Sequence, residues 1–470
     1  MNHANTLPSD TWLLRWGQVI LAGAFFVATL LLTYLIWAAP ELVPFFPLLI
    51  LAPVSAWVLF QHPLLNLFTV MCAFIVVAEP EDGIQATELL YAMYYLGFLA
   101  HWAVVRLFMQ KQHVVRNLED QALVVFLILI TLSFPMTFLY GGPLSGAVTE
   151  WMAWALLGLY FPIREAVESS RRGLLTVLAG LAFVGFFVFF RNLLNFQEII
   201  VTASAAWQVT RGRVVTNSAL ILIPSFVALA LFLSATNRKQ MTLWFTAFMM
   251  FVAGLLLTQS RGYWLAFAFG AGVVFLIVRG RYRSRLVWSG LISVAGSAGV
   301  AYLLIPDVFI LLATGMLNRV LSIASAVSSD PSMVNRLLES NAAMDHFWAN
   351  PILGHGMGTP FRFYDITWEY SMNRAFIHNG YVSLLFKFGI WGAALVMFFF
   401  GALFVRSVRS FRILIDSPYY GASALGVAGC LAAMAVSAIT SNPFYLKDTL
   451  FILGVVAGIG GGVWSKALQS

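Results

Sequence analysis

Charge is what this sequence has least of. Only 10% of its 470 residues are Asp, Glu, Lys or Arg, where a soluble globular protein carries about 25%. That shortage excludes a water-soluble fold of this size. With 60% hydrophobic residues and a mean hydropathy of +0.85, it points to a chain that crosses a membrane many times. Cysteine is nearly absent too. Cys72 and Cys430 both lie in apolar runs, which excludes a disulfide framework and a cysteine-based metal centre. There is no Gly-Lys-Ser/Thr phosphate loop after a strand-like run. The net charge of +7 does not indicate nucleic acid, because the basic residues sit in short clusters between apolar spans, as the positive-inside rule expects. No small-residue cleavage site follows the first apolar run, which therefore reads as a retained span.

What the sequence does have is apolar runs. Requiring roughly 20 residues for each crossing gives about 14 spans, the first two near residues 17–37 and 45–60 and the sixth ending at Arg164. Basic clusters at Lys111 to Arg116, Arg171-Arg172, Asn237-Arg238-Lys239, Arg279 to Arg285 and Arg406 to Arg412, with Lys466, all fall on one side under this count. An even number of spans with both termini cytoplasmic follows. The expected fold is an all-α polytopic membrane protein of about 14 transmembrane helices. A large outer loop containing short helices, residues 306–378, separates two late spans. Three regions are expected: an N-terminal bundle over 1–205, a middle region over 206–400 that includes the loop, and C-terminal helices over 401–470.

The polar chemistry is concentrated between residues 307 and 392, in a connection of about 70 residues where a few are usual. Residues 331–349 read as a helix: Ser329 or Asp330 caps it and Pro331 suits its first turn. Leu337, Ala342, Met344 and Phe347 with Trp348 give it an apolar face, to lie on the membrane surface or cover the bundle. Arginines expected on the outer side, Arg211, Arg213, Arg261 and Arg336, run against the positive-inside bias. Singly, each reads first as snorkelling or as an ion pair with Glu198, Asp307, Glu339 or Asp345. Together they favour anion binding, because guanidinium grips phosphate oxygens in a planar fork and keeps its charge. His378, with Asn379 and Gly380 at the mouth of a span, is either a hydrogen-bonded structural residue or a general base. His346 and His355 share its loop, but the spacing matches no compact zinc signature.

Several short motifs now stand in order: Ser260-Arg261-Gly262-Tyr263-Trp264; Arg336 heading a helix; Asn350-Pro351-Ile352-Leu353-Gly354-His355-Gly356-Met357-Gly358, whose glycines make a turn; His378-Asn379-Gly380-Tyr381; and Gly389-Ile390-Trp391-Gly392. Over roughly residues 210–395 this order resembles the O-antigen ligase and O-antigen polymerase superfamily. The resemblance implies a multi-pass protein of the bacterial inner membrane with a large periplasmic loop between two late spans. It implies an undecaprenyl-pyrophosphate-linked glycan as donor. The acceptor would be lipid A-core or a lipid-linked repeat unit, with membrane lipids around it and no metal, cofactor or nucleotide sugar. Residues similar to Arg211 and Arg336 would hold the donor pyrophosphate, with Arg213 an alternative to Arg211 and Arg261 a further member. His378 would be catalytic and Asn379 would support it. Lys387 stands where the family usually carries an acidic residue. A lipid-linked oligosaccharide flippase or other transporter is the rival reading, although no internal hydropathy repeat supports it.

Overall fold

A computed structural model describes residues 57–78, 85–202, 217–258, 260–304 and 331–470, with a few isolated positions besides. Its contacts divide the chain into residues 1–63 and residues 64–470. Of the first unit only helical residues close to its end are described. The span expected at 17–37, and nearly all of that at 45–60, lie outside the described residues.

The second unit is mostly helical. Its first half holds α1 (Pro63–Ala73), α2 (Ala86–Val104), α3 (Leu118–Leu132), α4 (Phe134–Leu139), α5 (Leu144–Ala155), α6 (Tyr160–Ser169) and α7 (Arg171–Thr202). Its second half holds α8 (Ala219–Ser234), α9 (Arg238–Leu257), α10 (Arg261–Ile277), α11 (Arg281–Leu304), α12 (Pro331–Phe347), α13 (Gly380–Ile413), α14 (Pro418–Thr440) and α15 (Lys447–Gln469). Among the described residues seven helices are long and apolar enough to cross a membrane, and Pro63–Val77, Ala219–Ser234 and Arg261–Ile277 are shorter apolar helices. The chain is an integral membrane protein. The sixth expected span is in pieces: α5, a tighter turn over Leu156–Leu159, then α6. Pro162 lies in the first turn of α6, where its missing amide hydrogen leaves no bond unmade.

The all-α expectation holds except in the outer loop, which carries, besides the short helix α12, an antiparallel hairpin of β1 (Phe361–Asp365) and β2 (Tyr370–Arg374), with Phe361 opposite Arg374 and Asp365 opposite Tyr370. The cause is a period-two pattern: Phe361, Phe363 and Asp365 are buried while Arg362 and Tyr364 are exposed, which suits a strand with one covered face.

The core centres on α8, every residue of which is buried. A helix that is apolar around its whole circumference belongs in an interior. The buried faces of α14 and α15 flank it. At one end of the bundle the basic clusters meet acidic partners. Arg106 pairs with Glu165, Arg116 with Glu168 at 2.9 Å, Arg164 with Asp120 at 2.5 Å, and Arg406 with Glu119. Arg285 donates to the carbonyls of Leu233 and Ala235 at the end of α8, at 3.0 and 2.8 Å, as a cation at a helix C-terminus should. The start of α13 lies at the other end.

Helix α13 is broken within its apolar part at Gly389, whose φ of 64° and ψ of −171° fall in a region open essentially to glycine alone. In a membrane the backbone groups freed by such a break need partners from protein. The segment from Pro351 to Gly356 supplies them. His355 N donates to Phe386 O and Gly356 N to Lys387 O, both at 2.9 Å, while Ile390 N donates to Pro351 O at 2.8 Å. A Cβ at Gly389 would sit 2.2 Å from the Ile352 carbonyl, and one at Gly356 would sit 2.6 Å from the Thr137 amide. The glycine-rich motif is therefore a plug that closes the helix break, and its glycines answer to close backbone approach.

Candidate active site

Helix α12 runs from Pro331 to Phe347, close to the expected range, and its inward face matches the expected one in part: Phe347 is buried and Ala342 packs beside Ala343, but Glu339 turns inward in place of Leu337. Glu339, Ala343 and Phe347 are buried, whereas Leu337, Leu338 and Trp348 are exposed. The groups beneath the helix explain the difference. One Glu339 oxygen, Oε2, accepts both the His378 backbone amide at 2.9 Å and the His378 ring nitrogen Nδ1 at 2.7 Å. The Glu339 carboxylate is 2% exposed and the His378 ring 30% exposed. A carboxylate at Nδ1 fixes the proton on that nitrogen, and in the neutral imidazole the lone pair is then on Nε2.

The position of His378 is fixed from both sides. Asn379 is the N-cap of α13, its side chain accepting from the amides of Tyr381 at 3.0 Å and Val382 at 3.2 Å. Buried Asn442, in the turn between α14 and α15, donates to Ile377 O at 2.8 Å. Phe376 packs edge-on against the His378 ring, with centroids 4.8 Å apart.

A pocket of about 140 Å³ opens beside this pair, lined by Ser332, Arg336, Glu339, Asp365, Arg374 and His378 among others. Ser332, Asn335, Arg336 and Glu339 share one face of α12, being spaced by three or four residues. Arg336 Nη1 donates to Thr440 O at 2.6 Å. Asn335 anchors the hairpin: it donates to Asp365 at 2.7 Å and to the Thr367 hydroxyl at 2.8 Å, and accepts from Ile366 N at 2.8 Å. Burial alone would raise the Asp365 carboxyl. Hydrogen bonds from Thr367 N, Asn335 and Trp368 N, and the charge of Arg374, outweigh it and hold the group below its ordinary range. The pocket thus presents two guanidinium groups and a histidine with an available lone pair. Its two carboxylates are engaged, one by His378 and the other by Asn335 and the hairpin turn. Such a site can hold an anion and accept a proton.

The structure brings Arg336 and His378 into this one pocket. Asn379 is next to it, with its side-chain oxygen used in the helix cap. Arg261 is the first residue of α10 and does not line this pocket. It lies at the same end of the bundle: a Cβ on neighbouring Gly262 would be 2.8 Å from the hydroxyl of Thr440, whose carbonyl holds Arg336. Arg211 and Arg213 lie outside the described residues. His355 is buried and stacked on Phe386 at 4.7 Å, and His346 bonds Ala342 O of its own helix at 2.8 Å. The sequence marks Glu339 only as a partner for an arginine and does not single out Arg374. Glu339 was recoverable, since it lies three residues beyond Arg336 on the same helical face. Arg374 needed the strand register that sets it opposite inward-facing Phe361. The position expected to be acidic, Lys387, pairs with buried Glu150 of α5 at 2.5 Å.

Residues 245–397 match the family model described as O-antigen ligase. The match includes Arg261, Arg336, Glu339, Arg374, His378 and Asn379, together with the glycine-rich plug. No curated protein matches the sequence.

Proposed function

We propose that this chain, which over residues 245–397 belongs to the O-antigen ligase and polymerase superfamily, is a membrane glycosyltransferase that moves a glycan from undecaprenyl pyrophosphate to an acceptor hydroxyl. The acceptor is lipid A-core or a lipid-linked repeat unit, and the catalytic region spans 206–400. The observation that carries this reading is the Glu339–His378 pair facing two guanidinium groups. That pocket lies at the end of the bundle away from the arginine clusters. With those clusters in the cytoplasm, both termini are cytoplasmic, the protein sits in the bacterial inner membrane, and the site faces the periplasm.

The chemistry divides among these residues. Arg336 and Arg374 contact the donor pyrophosphate, with Arg261 and Arg211 or Arg213 as further members of the same anion site. His378 Nε2 accepts the proton of the acceptor hydroxyl, whose oxygen attacks the anomeric carbon. The bond from that carbon to the pyrophosphate oxygen breaks, and its electron pair leaves on the pyrophosphate. Configuration at the sugar is inverted. Guanidinium groups already in place stabilise charge on the leaving group without reorganising during the reaction. Glu339 orients the imidazole and stabilises the imidazolium that forms, as the carboxylate of a hydrolytic triad does. Asn379 keeps the start of α13, and with it His378, in position.

The test is reconstitution of the purified protein with an undecaprenyl-pyrophosphate-linked oligosaccharide and each acceptor class in turn. Transfer with release of undecaprenyl pyrophosphate supports the reading, and the productive acceptor separates ligase from polymerase. Donor left intact with both acceptors, by protein of verified fold, refutes it.

A further inference from the structure

His378 is held by Glu339 of α12, and a second set of contacts reaches it from the turn that joins α14 to α15, residues 441–446. Asn442 of that turn donates to the Ile377 carbonyl at 2.8 Å, and its side-chain oxygen accepts from Phe444 N at 3.1 Å. Three residues on, Tyr445 meets Phe376 edge-on, with ring centroids 4.9 Å apart. Phe376 in turn meets the His378 ring edge-on at 4.8 Å. One turn thus grips two consecutive residues, Phe376 and Ile377, immediately before the histidine.

The geometry gives Tyr445 a reason to be braced. It lines a cavity of about 430 Å³ whose wall also includes Tyr95 and Leu96 of α2 and Trp151 of α5. A ring beside open space can swing into it, and a ring packed on the first would follow. The ammonium of Lys387 lies 4.5 Å over the Tyr445 ring, and Glu150 holds that ammonium at 2.5 Å. A cation on an aromatic face away from water is a strong form of this contact. Lys387 is itself fixed, since its carbonyl accepts from Gly356 N at the helix break. Burial, with the charge of Glu150 adding to it, pushes the Tyr445 hydroxyl up to about 12. At neutral pH that hydroxyl keeps its proton and is no base. Neither Phe376 nor Tyr445 lines the pocket of Arg336 and His378.

We propose that Tyr445 is a positioning residue for the transfer: acting through Phe376, it holds the plane of the His378 imidazole so that Nε2 stays in line with the acceptor hydroxyl. The proposal rests on the transferase reading and adds a residue from the α14–α15 turn to it. The bond from Nδ1 to Glu339 sets where the ring sits but leaves it free to rock about that bond. An edge-on neighbour restricts the rocking, and Tyr445, with Lys387 on its face, keeps that neighbour in place.

The test compares Tyr445→Leu and Tyr445→Phe with the native full-length protein, purified and size-checked. Leu removes the ring and should lower kcat about 10- to 100-fold, since a displacement of about 1 Å at a reacting group has effects of that order. The donor KM should stay within about twofold, because only the transition state is affected. Phe keeps the ring and should restore most of the native kcat. Phe376→Leu should behave as Tyr445→Leu does, and carries the test if that variant does not fold. Both act through one stack, so the double Leu variant should lose no more than the worse single one. A readout independent of turnover is the histidine itself. In protein labelled with 13C at histidine Cε1, the NMR line that His378→Ala lacks should shift or broaden in Tyr445→Leu and return in Tyr445→Phe. A native kcat or an unmoved line in folded Tyr445→Leu would overturn the proposal. So would a Tyr445→Phe no better than Leu, multiplied losses in the double variant, or a raised KM with kcat kept. Absence of transfer by the native protein would instead count against the transferase reading, while the histidine line still reports whether Tyr445 sets the ring.

Discussion

Replacing Glu339 by Gln is the sharpest perturbation of the site, because it changes charge while nearly preserving shape. In the native chain Oε2 of Glu339 accepts from the amide and the ring of His378, at 2.9 and 2.7 Å, in a buried setting. Gln keeps one acceptor oxygen and so retains part of this geometry. It loses the negative charge that selects the Nδ1 proton and stabilises the imidazolium. A hydrogen bond to a charged group is worth about 1.5–3 kcal/mol net. At about 1.4 kcal/mol per decade, removal of that charge should lower kcat roughly 10- to 150-fold. The donor KM should change little, since the proposed function assigns donor binding to the guanidinium groups. The assay is steady-state transfer by purified, monodisperse protein, with the melting temperature measured alongside. A wild-type kcat in Glu339→Gln would refute the orienting role. A melting temperature that falls together with a normal kcat per folded molecule would make Glu339 a structural residue only.

Arg336→Lys and Arg374→Lys keep charge but lose the fork. Each should raise the donor KM about tenfold or more in the same transfer assay, and wild-type kinetics in both would dismiss the anion site. Lys387→Met leaves Glu150 buried and unpaired, so it should cost about 3–5 kcal/mol of stability, read as loss of folded protein after heating in detergent. Adding Glu150→Met should restore much of it, and a harmless single variant would contradict a tightly coupled pair. Gly389→Ala must hold a side chain in a glycine-only conformation, a cost of about 1–3 kcal/mol, and place its Cβ against the Ile352 carbonyl. Its melting temperature should drop, and an unchanged one would show that the helix break is not held as described.

The membrane class and two residues of the candidate pocket, Arg336 and His378, were legible in the sequence for separate reasons. Low charge and repeated apolar runs are properties of the chain itself, so they survive without knowledge of contacts. Arg336 and His378 were legible because they sit in short ordered motifs. Their partners were not, because Thr440 reaches the site from the end of α14 and Asn442 from the turn after it, and no local spacing reveals that meeting. The expected apolar face of α12 illustrates the same limit. Periodicity ranks Leu337 above Glu339, while the unmet donors of His378 decide which face turns inward. The glycine-rich motif reads locally as a turn, since its purpose depends on a helix break that Gly389 creates more than 30 residues away. Arg374 depends on a hairpin that a helical reading of the loop does not contain.

The most direct measurement of the central claim is transfer by His378→Ala, purified and size-checked, with a lipid-pyrophosphate-linked glycan. Loss of a general base typically costs about 100- to 10,000-fold in rate. The expected result is a drop of that order in kcat with an intact fold and donor binding largely kept by the guanidinium groups. Near-normal turnover by the folded variant would contradict the account and remove His378 from the chemistry.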